Sequence, residues 1–399
     1  MSLPALVPRF SKGTQRLCCP QETLERIEPH WRRCGITRLA DLTQLDTLGI
    51  PTYSAVRPGG QLRQSSMGKG LSTAAAKASA LMEGIEVYHA ETPEPEDLHD
   101  ASRDELGARG YRTFSAAELP GHLDGSGGSR SNYPGGVMAS SRRRLPWVKG
   151  WDLLAHEEVF VPASSVYCQE PALTWTTTNG LASGNHPVEA MLHALFEIVE
   201  REAMSGVSVN GRLQVRETCA RVDLGSVDSE DLQDLIGRIT RAGATLVLLW
   251  RQSPIPVHTF WAIILDPHGS PPLHSGSGSH ASLEVAACRA VTEAAQTRLA
   301  HIQSSREEFG VKAPNGAYPA RRKVVSFFLE LEPQLTWQQL QSLPALGADR
   351  LDVVATETLA ALAAAGYQHV LRFDLTKPKL DIPVVKIIIP KMRFDDWLH

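Results

Sequence analysis

Residues 176–203 read TTTNGLASGNHPVEAMLHALFEIVEREA, and the later part of this stretch predicts a strong helix from about His186 to Met204. Side chains three and four apart on a helix share a face. Glu189, His193, Glu197 and Glu200 therefore form one stripe, within about 80° of arc at about 100° per residue, while Glu202 points away from it. The pattern recurs. Ala194-Leu-Phe-Glu197-Ile-Val-Glu200 is matched by Ala80-Leu-Met-Glu83-Gly-Ile-Glu86, on a helix predicted over Ser72–Ala90. It is matched again by Ala290-Val-Thr-Glu293-Ala-Ala-Gln296, on a helix predicted from about Ser282 to Gln303. Ser79 joins the first stripe and Arg289 the third.

Outward from the helices, Ile-Pro segments repeat as well. Asp41-Leu-Thr leads to Ile50-Pro51 and Pro58; Asp374-Leu-Thr leads to Ile382-Pro383 and Pro390; Ile255-Pro256 stands between two predicted strands. Chance similarity in an alanine-rich chain is the competing explanation. The preferred one is an α/β (α+β) composite fold of related units whose helices meet around one site, with periods too long and irregular for a solenoid. A further helix is predicted over Pro20–Cys34, and strands over Trp147–Asp152, Val159–Val166, Thr245–Trp250 and Val257–Leu265. The segment 93–136 is acidic and then Gly/Ser-rich, and reads as a loop-rich insertion. Residues 310–399 read as a C-terminal α/β subregion (strand, helix, strand, strand) of the same domain, 1–399.

With 399 residues and 42% apolar content the chain can bury a large core, and its net charge of −4 predicts no general attraction to nucleic acid or membranes. No run approaches about 18 apolar residues, so no membrane span is expected. None of the six cysteines stands in C-x-x-C spacing. Scattered thiols and the lack of a signal-like N-terminus point to a cytoplasmic protein without structural zinc.

Glutamates three apart on one helix ordinarily mark a solvated face. Three helices with one spacing, set among Leu81, Ile85, Leu195, Phe196 and Ile198, favour a site, because carboxylates in apolar surroundings need compensating cations. Oxygen ligands on rigid elements suit Mg²⁺, which combines a few carboxylates with phosphate oxygens and water. Gly68-Lys69-Gly70, Asn179–Asn185 and Ser275–Ser279 precede the three helices and read as Gly-rich or Asn-bearing loops whose N–H groups can approach an anion. Gly68-Lys69-Gly70 is not a Walker A loop, since Lys69 is followed by glycine.

Three blocks resemble the YcaO family: SSMGKGLSTAAAKASALMEGIEVYHAE (65–91), TTTNGLASGNHPVEAMLHALFEIVEREA (176–203) and EVAACRAVTEAAQTRLAHIQSSREE (284–308). The resemblance implies a fold that binds ATP with Mg²⁺ and activates a peptide backbone amide by phosphorylating its oxygen after a nucleophile has added. Carried over by position, it implies Glu83, Glu86, Glu189, Glu197, Glu200 and Glu293 as metal and phosphate residues. Ser79, Asn185, Arg201 and Arg289 become nucleotide contacts, with Lys12 and Lys69 near the phosphates. Glu83, Glu86, Glu197, Glu200 and Arg201 are the expected catalytic set.

The opening FSKGTQR…ETLERI and GITRLADLTQLDTLGIP look most like stand-alone members that work with a TfuA partner and install a thioamide using sulfide. A peptide or protein substrate, a TfuA-like sulfur-delivery partner and a homodimer follow as expectations. Azoline or amidine formation, an amide ligase and a non-catalytic docking protein are the alternatives. The chain lacks room for a leader-binding domain, and its tail lacks the Pro-x-Pro-x-Pro ending of many azoline formers. His193 reads as a packed histidine or a proton carrier, and Cys168 and Cys288 as small buried residues rather than sulfur relays.

Overall fold

A computed structural model describes residues 5–120, 141–169, 172–173, 177–205, 207, 212–266, 269, 271–304, 317–347 and 349–392. The three glutamate helices are Thr73–Glu91, Pro187–Met204 and Leu283–Ser304, each end within one residue of expectation. The first is capped by the Ser72 hydroxyl, which accepts from Ala75 N–H; the second starts with Pro187 at its first position, where a missing N–H costs nothing. The Pro20 helix ends at Ile27 rather than Cys34. Pro29 has no N–H to donate to Glu25, so the chain turns there.

The first and third helices each follow an antiparallel meander. Strands β1 (Arg38–Asp41), β2 (Thr52–Val56) and β3 (Ser65–Lys69) precede the first. A mixed sheet follows, with β4 (His99–Ala101), β5 (Arg112–Thr113), β6 (Leu145–Asp152), β7 (Glu157–Pro162) and β8 (Leu181–Ser183). Strands β9 (Cys219–Arg221), β10 (Thr245–Arg251), β11 (His258–Leu265) and β12 (Leu273–His280) form the meander before the third helix. The last strands, β13 (Leu371–Asp374) and β14 (Val384–Ile388), complete the seven-stranded sheet in the order β5-β7-β6-β13-β14-β8, with β4 beside β6.

All three stretches expected as loops contain strand, Asn179–Asn185 through β8 and the other two through β3 and β12. Gly68 lies in β3 and Gly278 in β12, so their N–H groups belong to sheet edges rather than to an anion nest. Their glycines serve close packing instead. A Cβ on Gly68 would stand 2.0 Å from Ala80 N, and one on Gly278 2.4 Å from Ala286 O. Strand and helix therefore touch backbone to backbone, as a glycine inside a strand often signals. The Ile-Pro repeat also has a structural meaning. Pro51 O accepts from Gly70 N–H at 3.3 Å just before the first helix, and Pro383 O accepts from Gly184 N–H at 3.1 Å just before the second. The third unit departs from this, since Pro256 O accepts from Leu346 N–H.

The segment expected to be loop-rich begins with ordered structure. Strand β4 pairs with β6, a helix spans Arg103–Ala108, and β5 runs parallel to β7. Its Gly/Ser run lies outside the described residues. The C-terminal subregion supplies β13 and β14 to the middle of the mixed sheet. Its first element is a helix, Ala317–Leu329, whose Phe327 and Phe328 join the core under β10 and β11 with Trp261. No described helix is long and apolar enough to cross a membrane.

Candidate active site

The three helices meet around a cavity of about 530 Å³. Ser79, Glu83 and Glu86 reach it from the first, His193, Glu197, Glu200 and Arg201 from the second, and Arg289, Glu293 and Gln296 from the third. Lys12, Arg16, Arg63 and Lys69 close it from neighbouring segments, and Asn185 sits before the second helix. Of the expected site residues, Glu189 alone is not on this wall. Its Oε1 accepts from Leu17 N–H and its Oε2 from Asn185 N–H at 2.8 Å, so both oxygens hold backbone.

The carboxylates fall into two electrostatic groups. Burial pushes Glu86 up to about 8; hydrogen bonds from Ser183 N–H (2.9 Å) and Oγ (2.6 Å) oppose this, and Glu83 and Glu197 add to it. At neutral pH it is largely protonated. Burial also raises Glu83, against the Arg63 guanidinium at 3.0 Å, and Glu197, against Arg201 at 3.8 Å. At all three acids on this wall, burial thus outweighs the positive charge nearby. Glu293 behaves oppositely. Burial would raise it, but the Lys69 ammonium at 2.7 Å, with Arg201 and Arg289, holds it well below the usual range. Glu200 accepts from Ser277 Oγ at 2.8 Å and Ser279 N–H at 3.0 Å, which ties the second helix to β12.

The remaining expected residues have defined places. Asn185 Nδ2 donates to Glu189, and its Oδ1 accepts from Thr23 Oγ1 at 3.1 Å. Lys12 lies at the rim, 3.5 Å from Asp231. His193 Nε2 accepts from Arg289 at 3.5 Å, and burial together with the Arg16 and Arg289 charges keeps its ring neutral. The Cys288 thiol is pushed up by burial, which makes it a poor nucleophile. Sequence reading passed over Arg16, Arg63 and Ser183. Arg16 ends the quoted FSKGTQR run, which was its only signal; Arg63 stands in a Gly/Gln loop with none.

This donor set fits a magnesium nucleotide. No three His, Cys, Asp or Glu side chains form a ready metal cage among the described residues. Mg²⁺ characteristically takes one or two carboxylates and completes its shell with phosphate oxygens and water. Glu83, Glu86 and Glu197 would gain further positive charge, while Lys69, Arg201 and Arg289 offer donors to phosphates. Gln296 Oε1, buried and without a partner, leaves a free acceptor in the same wall.

Comparison with known proteins agrees with this reading. The model of a family described as "YcaO cyclodehydratase, ATP- and Mg²⁺-binding" matches residues 67–393. An uncharacterized protein in the tfuA 3′ region of Rhizobium leguminosarum bv. trifolii is 30% identical over 95% of this chain and 89% of its own length. An uncharacterized protein of Methanothermobacter thermautotrophicus is 32% identical over 94% of both. Among solved structures, YcaO from Methanopyrus kandleri bound with AMPPCP and Mg²⁺ superposes with a TM-score of 0.72 at 24% identity, covering 97% of this chain and 94% of that one. A heterocyclase in complex with substrate and cofactor superposes with a TM-score of 0.77 at 22% identity, covering 99% of this chain and 54% of that one.

Proposed function

The chain belongs to the YcaO family, whose members are described as binding ATP and Mg²⁺, and from that premise we propose that it converts a backbone amide of a peptide or protein into a thioamide with a TfuA-like partner. The observation that carries the ATP-dependent half is the wall of the buried Glu86 and the half-buried Glu83 and Glu197, three acids from two helices, all raised, opposite Lys69, Arg201 and Arg289. The support for the thioamide half is the relative from a tfuA region, similar over nearly the whole chain.

The proposed reaction balances without water. An amide, hydrosulfide and ATP give a thioamide, ADP and phosphate, and the amide oxygen leaves with the phosphate. Bound Mg²⁺ supplies charge neutralisation at the phosphates. Glu83, Glu86 and Glu197 would hold it, and Arg201 and Arg289, with Lys69 and Lys12, would orient the phosphates. Ser79 and Asn185 would contact the nucleotide, and Glu189 acts one step back by fixing Asn185. Glu200 ties the second helix to β12 through Ser277 and Ser279, and Glu293 ties the third helix to β3 through Lys69. The neutral His193 ring accepts from Arg289 through Nε2 and would help hold that guanidinium in place.

The deciding experiment combines the full chain, a TfuA-like partner, MgATP and radiolabelled sulfide with a cell extract. Protein-bound label that requires all four components, and is lost in Glu197→Ala, supports the reading. ATP-dependent dehydration of cysteine- or serine-containing peptides without sulfur uptake would overturn the thioamide assignment.

A further inference from the structure

Each helix that faces the cavity carries two site positions, and the second does something the first does not. Glu86, Glu200 and Gln296 stand equally far from the first residue of their helices, Thr73, Pro187 and Leu283. One turn earlier, Glu83, Glu197 and Glu293 pair with cations at the cavity: Arg63, Arg201 and Lys69. The second position reaches instead for the strand of another unit. Glu86, on the first helix, accepts through Oε1 from Ser183 N–H and Oγ at the end of β8, which leads into the second helix. Glu200, on the second, accepts from Ser277 Oγ and Ser279 N–H in β12, which leads into the third. Gln296, on the third, donates through Nε2 to Met67 O at 2.8 Å in β3, which leads into the first. The three links run in one direction and close into a ring.

The chemistry of each link fixes the residue that makes it. Strands β8 and β12 present N–H and hydroxyl donors, and an ionised or protonated carboxyl can accept from them. Strand β3 presents Met67 O, which only accepts, so the same place on the third helix needs a donor. The amide nitrogen of Gln296 supplies it; a carboxylate there would set two acceptors against each other. The one glutamine among the three motifs is thus specified by the strand it meets. Two residues beyond Met67 on the same strand stands Lys69, whose ammonium pairs with Glu293, so the Gln296 link and that ion pair span the same junction. Phosphates that draw the ammonium away would leave Gln296 to hold β3 against the third helix.

We propose that Gln296 is a positioning residue: it closes a ring of helix-to-strand links that fixes the spacing of the cavity-facing Glu83, Glu197 and Glu293 and so shapes the cavity for MgATP. The inference rests on MgATP binding in this cavity and not on the product formed there. Gln296 Oε1, buried and without a partner, offers the rival role of a metal ligand, and the two roles predict opposite effects of one substitution.

That substitution makes the third helix like the other two. Gln296→Glu restores the shared Glu-x-x-Glu, yet it should weaken MgATP binding to the full chain about tenfold by calorimetry, the scale of one buried hydrogen-bond partner lost. It should also speed amide exchange across residues 65–69. Gln296→Met, which keeps the length and adds no charge, should do the same to a smaller extent, and it carries the comparison if Gln296→Glu fails to fold. Binding by Gln296→Glu as tight as the wild type's, or tighter, overturns the proposal, since a carboxylate would then serve the metal better than the amide. Weaker binding with unchanged exchange in β3 overturns it as well, by placing the side chain on the nucleotide rather than on the strand. A wild type that binds no MgATP, with β3 loosened in Gln296→Glu, would uphold the ring and overturn the reading of the cavity as a nucleotide site.

Discussion

The unit of β1–β3 with the first glutamate helix and the unit of β9–β12 with the third are built alike, yet their acids are shifted in opposite directions. Each is a meander ending in a glycine-bearing edge strand that lies directly against its helix. In the first unit Glu83 and Glu86 are raised; in the third Glu293 is lowered. The difference comes largely from a contact that crosses between the units. Lys69, at the end of β3, makes its direct ion pair across the cavity with Glu293, where Arg201 and Arg289 add their charges, and acts on Glu83 of its own unit only at longer range. One architecture, used twice, thus gives a cavity with one side that wants a cation and one side already neutralised.

The sharpest way to test this contrast is to neutralise one acid on each side. Glu86→Gln should reduce Mg-dependent nucleotide affinity about 100-fold by calorimetry, the scale on which losses at a metal site fall. It should leave metal-free stability nearly unchanged at about pH 4, where the acid is protonated in both states, and raise it at neutral pH, where the wild type alone must take up a proton to fold. Glu293→Gln should instead lower metal-free stability by about 1–3 kcal/mol in denaturant unfolding, a buried-pair loss reduced by solvent in the cavity. Equal responses from the two variants would end the comparison.

The structural likeness has its own test. Gly68→Ala and Gly278→Ala should each cost about 3 kcal/mol, because both methyls would meet helix backbone that cannot move aside. A large cost at one position and not the other would show that the two strand–helix contacts differ.

The pH response follows from the raised side. Glu86 has a folded value of about 8 against an ordinary 4.5. Between those values the native state binds more protons than the unfolded state, so metal-free stability should fall as pH rises from about 5 to 8 and then level off. Mg²⁺ affinity should rise over the same range, since the metal takes the ionised form. Melting curves at stepped pH check the first and calorimetry the second, and Glu86→Gln should flatten both. The smallest effect is a control outside both units. Gly107→Ala, in the helix Arg103–Ala108 with open space around it, should stabilise the protein by about 0.5–1 kcal/mol.

What the sequence disclosed, and what it hid, follows from the same packing. The helices and their stripes were legible because spacing alone puts Glu83, Glu86, Glu197, Glu200 and Glu293 on helix faces, and alanine-rich neighbours allow close approach. Strands β3 and β12 were hidden, because Gly-Lys-Gly and Ser-Gly-Ser-Gly carry the local signature of a loop. Only the backbone contact to Ala80 and Ala286 explains those glycines, and it is a tertiary fact. Glu189 shares its helix stripe with Glu197, but the incoming backbone of Leu17 and Asn185 claims its oxygens, which no helical periodicity reveals. Arg16 and Arg63 come from irregular segments, where spacing carries no information about direction.

The placement of β14 has a consequence for the life of the nascent chain. This strand pairs with β8, its Lys386 donates to Thr177 O at 2.6 Å and Asn179 O at 2.7 Å, and Pro383 O receives Gly184 N–H. The approach to the second helix is therefore secured by residues that leave the ribosome after both other glutamate helices have been made. Until they arrive, β8 and the backbone leading into the second helix lack this neighbour, so the approach to that helix is the part of the structure fixed last in the order of synthesis.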